Sequence, residues 1–153
     1  MLRGMVLLFG ALTIGNALRA GSGPAVLSCV ATEKALPRLT LKGVIPHGEI
    51  ALDLTLEEGA NRLVLNDESG SSVSLIDALA ERVFTMVVRT KTGEELELYA
   101  LPSTIKFTAV GHREHATFAA VLRSAPKPGL SQWQSAKDYF RSVSMSCSYH
   151  WEV

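Results

Sequence analysis

His112-Arg-Glu-His115 sets two imidazoles three residues apart with a carboxylate, Glu114, between them. Imidazole nitrogen and carboxylate oxygen both ligate borderline dications, so a turn that curled this tetrapeptide could bring His112, Glu114 and His115 to one metal ion. His47, in the Pro46-His47-Gly48 turn beside Glu49, could add a further ligand. The same groups could instead run acid/base hydrolysis, one side chain taking a proton and another returning it. Against both readings, the spacing is not that of a helical metal motif, and a mixed-charge loop with two histidines is ordinarily solvated surface. No metal, cofactor or catalytic residue is therefore expected. Tyr99, His112, Arg113 and His115 are expected as contact residues of a binding surface.

Other chemistries find less support. No Gly-x-Ser-x-Gly turn presents a serine nucleophile, and no glycine-rich loop cradles a phosphate. Glu57-Glu58 and Glu94-Glu95 are adjacent pairs, and neighbours on a strand point to opposite faces, so neither pair can work on one bond. The two cysteines, Cys29 and Cys147, are expected to form a disulfide, which removes the thiolate that nucleophilic attack requires.

The elements that would position these residues are strands. From Val143 to Val153 apolar and polar residues alternate without a slip, so Val143, Met145, Cys147, Tyr149, Trp151 and Val153 share one face. Serines, His150 and Glu152 share the other. The same period of two runs through residues 49–56, 61–65, 94–100, 104–110 and 116–124, with glycine, proline or polar turns between. Residues 26–32, 38–44 and 83–90 also read as extended. Residues 66–72 and 111–115 read as loops. Two stretches fit short helices instead: 74–82, where Ser74 and Asp77 mimic an N-cap, and 131–141, where Ser131 and Gln134 form a capping box. Eight or nine short strands with one or two helical turns predict an all-β antiparallel sandwich or small barrel. The Cys29–Cys147 bond would make the first and last strands neighbours in a sheet or across a sandwich.

Residues 1–20 have the features of an export signal. Arg3 precedes an apolar stretch, and small residues near Ala17 and Ala20 offer cleavage points. An uncleaved membrane anchor and a lipoprotein at Cys29 are the alternatives. Residues 21–153 then form a single domain in a periplasmic or secreted setting, where disulfides persist. Removing Arg3 and Arg19 from 15 basic residues leaves 13 against 15 acidic ones, so no basic field invites nucleic acid.

The terminal strand is also similar to the closing strand of outer-membrane barrels, which implies lipid-facing apolar groups. Those strands end in an aromatic residue, whereas this chain ends in Val153, and the other strands are short for spanning. The reading that accounts for most of the chain is an exported, soluble, disulfide-tied, non-catalytic binding or structural module without stable membrane insertion. Its partner would be an unidentified protein or small molecule. A metal-assisted or acid/base hydrolase using the His112/His115 loop, and a small outer-membrane barrel, are the alternatives.

Overall fold

The computed structural model describes residues 23–33, 38–125 and 142–152. The leader expected over 1–20 and the helix expected over 131–141 lie outside these residues. The described chain forms one antiparallel sheet that curls into a nearly closed barrel. Its strands are β1 (Ala25–Ala31), β2 (Leu39–Ile45), β3 (Asp53–Glu58), β4 (Asn61–Asn66) and β5 (Ser72–Ala78). They continue as β6 (Val83–Arg89), β7 (Glu95–Ala100), β8 (Lys106–Val110), β9 (Arg113–Ala125) and β10 (Val143–Glu152). Two single 3-10 turns, Leu79–Glu81 and Pro102–Thr104, complete the described elements. The all-β expectation is met, and of the two architectures left open the barrel is the one adopted.

The order around the sheet is β4-β3-β2-β1-β10-β9-β7-β6-β5. Neighbours alternate in direction, so the first and last of these nine strands run in the same sense. Residues 67–71 between β4 and β5 are therefore a step in one interrupted strand rather than a hairpin. β4 carries its ladder with β3, and β5 takes up a new one with β6. Two parallel strands need a crossover of about a dozen residues, far more than this link supplies. The barrel stops short of closure here. A ring of hydrogen bonds fixes the step: Ser69 N–H donates to Asn66 Oδ1 at 2.8 Å, and Ser71 N–H donates to the Asn66 carbonyl at 3.0 Å.

β7 and β8 form a second interrupted strand. β7 pairs with the C-terminal half of β9 and β8 with its N-terminal half. Pro102 has no N–H to give to the ladder, and the chain makes a 3-10 turn there. Thr104 bridges the gap: its hydroxyl accepts the Ala119 N–H at 2.9 Å and donates to the Leu101 carbonyl at 2.7 Å. Counting each broken strand as two gives ten strands instead of eight or nine.

The inward side chains fill the barrel. Leu27, Leu54, Phe84, Leu98, Met145 and Tyr149 are all buried, with Phe84 and Phe118 in ring contact at 5.3 Å. The chain's two halves meet at one ladder, β1 on β10, and Cys29–Cys147 crosses it between directly opposed residues with Cα atoms 4.0 Å apart. The expected disulfide and the expected adjacency of first and last strands are both present. Gly43 on β2 has φ +140°, and a Cβ there would lie 2.1 Å from the Asp53 carbonyl oxygen, so only glycine lets β2 and β3 approach so closely.

Two local expectations are corrected. Residues 72–78 are strand β5, and only residues 79–81 make a helical turn. The pairing with β6 wins over the helical stripe, since Val73 and Leu75 alternate inward against the core. Residues 111–115 are not a loop, because β9 begins at Arg113. Gly111 at φ +61°, followed by His112 on the negative side, gives the two-residue turn that suits a tight hairpin.

Among the described residues no helix is long and apolar enough to cross a membrane. The alternating terminal strand turns Val143, Met145, Cys147 and Tyr149 inward and its serines outward. A lipid-embedded barrel needs the reverse arrangement, so the likeness to outer-membrane strands is one of period only.

Candidate functional site

Polar side chains reach the barrel interior at one end. Tyr149 on β10, only 1 % exposed, sends its hydroxyl across the interior to the Asp77 carboxylate at the end of β5. Glu114, at the start of β9, faces inward beside them, directly opposite Trp151 of β10. His47, just beyond β2, lies against Trp151 with ring centroids 4.5 Å apart. The indole Nε1–H of Trp151 donates to the Gly23 carbonyl at 3.1 Å, so the segment preceding β1 closes over this end. A Cβ on Gly23 would lie 2.1 Å from the Glu152 carbonyl oxygen, and glycine is needed for that crossing.

Local turns set these positions. Gly48 at φ +59° lets the 47–50 hairpin fold, with His47 and Ile50 exchanging backbone hydrogen bonds at 3.1 and 3.3 Å. Arg82 at φ +62° ends the turn after β5 and starts β6. Leu79 within that turn is buried and donates a backbone hydrogen bond to Asp77.

Burial pushes the Asp77 carboxyl above its usual range; the Tyr149 hydroxyl, the His47 imidazole and the Leu79 N–H each pull it back down. Tyr149 is pushed well above the usual phenol range, first by burial and then by the Asp77 and Glu114 carboxylates. A phenol so placed stays neutral and serves as a hydrogen-bond donor to Asp77. The cluster therefore gathers these polar groups at one end of the barrel, where Asp77 still reaches solvent.

The residues singled out in the sequence fall in three places. His47 and Glu114 belong to the interior end. His112 stands at the exposed tip of the β8–β9 turn, and His115 points outward from β9. Glu114 and His115, adjacent on one strand, face opposite sides, so His112, Glu114, His115 and His47 do not converge on one centre. Among the described residues no group of three or more histidines, cysteines and carboxylates is arranged to hold a metal. Arg113 also points outward and is engaged by Glu152, Nε to Oε1 at 2.7 Å. Tyr99, 43 % exposed, lies on the outer face of β7, six positions along β9 from His115 in the ladder.

Tyr99 is not alone on that face. The register sets Ile76, Thr85 and Tyr99 in one row across β5, β6 and β7. Ile76 is 59 % exposed, and Val83 and Leu101, also exposed, lie two residues further on along the same face. Four large apolar side chains thus stand together in solvent. The sequence hid the patch because each member reads singly as an ordinary surface residue; only the register joins them.

Comparison with known protein families, with curated proteins and with solved structures finds no match to this chain.

Proposed function

We propose that the chain is an exported, non-catalytic β-domain that works as a binding or structural module in an oxidising compartment, periplasmic or secreted. The observation that carries the reading is the exposed apolar face of Ile76, Val83, Tyr99 and Leu101 over an interior already filled by its own side chains. An apolar patch on a rigid sheet fits a protein surface better than a small molecule, which needs a concave site. The buried Cys29–Cys147 bond supports the compartment, since such bonds persist where thiols are not kept reduced. The near balance of acidic and basic residues supports a partner other than nucleic acid. His112, Arg113 and His115 lie toward the other end of β9, where they would contribute a polar margin at most.

A photo-crosslinking residue placed at Tyr99 or Ile76 in the native host, with one at Ser146 on the serine face of β10 for comparison, tests the reading. One discrete adduct from the first two positions and none from Ser146 is the expected outcome. Absence of any adduct, or the same adducts from all three, overturns it. Amino-terminal sequencing of the extracted protein tests export, and a start within or just after residues 17–21 is expected.

A further inference from the structure

On the outer face, at the end of the barrel that carries the interior cluster, the ladder sets His115 of β9 directly opposite His150 of β10. Both side chains are exposed. Two hydrogen bonds fix what kind of pair this is. The Thr32 N–H donates to the Ser144 carbonyl at 2.9 Å, so even-numbered residues of β10 spend their backbone groups on β1. The Leu101 N–H donates to the Ala119 carbonyl at 2.8 Å, so odd-numbered residues of β9 spend theirs on β7 and β8. His115 and His150 are then a non-hydrogen-bonded pair, the class with Cα atoms only about 4.5 Å apart and side chains closest.

Nearby charges complete the setting. Glu152, two residues along the same face, brings Oε2 to 3.7 Å from His150 Nε2. Its other oxygen, Oε1, is 2.7 Å from the Arg113 guanidinium. Lys106, on the outer side of β8, adds one more cation to this face. Arg113 would repel a bound dication, and Glu152 offsets that charge while standing close enough to orient one imidazole.

We propose that His115 and His150 form a two-histidine surface site for a first-row transition-metal dication, copper(II) foremost. Two imidazoles held on adjacent rigid strands chelate without reorganising the backbone. Water fills the remaining coordination positions, and copper(II) exceeds nickel(II) and zinc(II) in the usual order of affinities for such ligands. The site differs from the tetrapeptide arrangement suggested by the sequence: it uses His115 with a residue of another strand and leaves out His112, Glu114 and His47.

Calorimetric titration of the tag-free protein with copper(II), nickel(II) and zinc(II), repeated on four single variants, tests the site. One equivalent of copper(II) is expected to bind, more tightly than either other ion. His115→Ala and His150→Ala should each weaken it by about a hundredfold, because one ligand of a chelate is lost. His112→Ala, at the neighbouring turn tip, should leave binding unchanged, and Arg113→Gln should tighten it by removing a nearby cation. All three alanine positions are exposed, and unchanged melting of the metal-free variants checks that they fold. Equal affinity in wild type, His115→Ala and His150→Ala, or a loss on His112→Ala of the same size, overturns the proposal.

Discussion

At the scale of single residues, the positions that matter most are polar ones doing backbone work or sitting inside. Thr104 replaces a missing ladder partner where Pro102 breaks the strand. Thr104→Val keeps the shape and leaves the Ala119 N–H unpaired, so unfolding in urea should show a loss of about 1–3 kcal/mol. Asp77 gives a pH signature. Its carboxyl is raised by burial, so the folded state holds the proton more tightly than the unfolded chain does. The resulting stability is complete below the ordinary aspartate range and is lost as pH rises through the raised value. Asp77→Asn stays neutral throughout. The variant should be the more stable protein at pH 7, and its advantage should shrink as pH falls through the raised value toward about 4, below which no further change is expected. A difference in urea midpoints that stays constant between those pH values would show that Asp77 carries no such burden.

At the scale of elements, the strands with unbroken alternation are legible in the sequence and those whose alternation a carboxylate breaks are not. β10 and β7 stand where the period of two puts them. β5 reads as a helix in the sequence because its third inward position is Asp77, which breaks the pattern and leaves Leu75 and Ile76 on a helical stripe. The start of β9 looked like a loop for the same reason, since the inward residue there is Glu114. The interior cluster thus concealed itself: its carboxylates occupy positions that the alternation reserves for apolar groups. Tyr149 and Trp151 gave no signal either, because they fit the apolar face. His47 and Glu114 read in the sequence as possible ligands, but the partners they have in the fold come from strands far away in sequence. The β2–β3 contact depends on a different element-scale feature, the glycine in β2. Gly43→Ala adds a methyl against the Asp53 carbonyl in a backbone region that alanine avoids. A drop of more than about 2 kcal/mol in chemical denaturation is expected, against a change within about 0.5 kcal/mol for a substitution at an exposed outward position such as Ser146.

At the scale of the whole molecule, one ladder carries the union of two halves. The four strands from β1 to β4 join the rest through β1 on β10 and through the step at residues 67–71. The disulfide sits on that ladder, closing a separation of 118 residues, and both sulfur-bearing side chains are buried. Replacing both cysteines with alanine should lower unfolding stability by about 2–5 kcal/mol. The bond should also resist mild reductant until the barrel opens, so trapping of free thiols should follow unfolding and not precede it.

Gly23 rests on the final residues of β10, so the start and finish of the folded body are next-door neighbours. A circularly permuted version, with a short peptide splicing that junction and fresh termini cut between Gly111 and His112, should reach the same native form. In it only residues 148–152, the splice and residues 23–28 would separate the two sulfurs. The crosslink would then restrain a much smaller ring in the unfolded polymer, and reduction should destabilise the permutant by about 2 kcal/mol less than the parent.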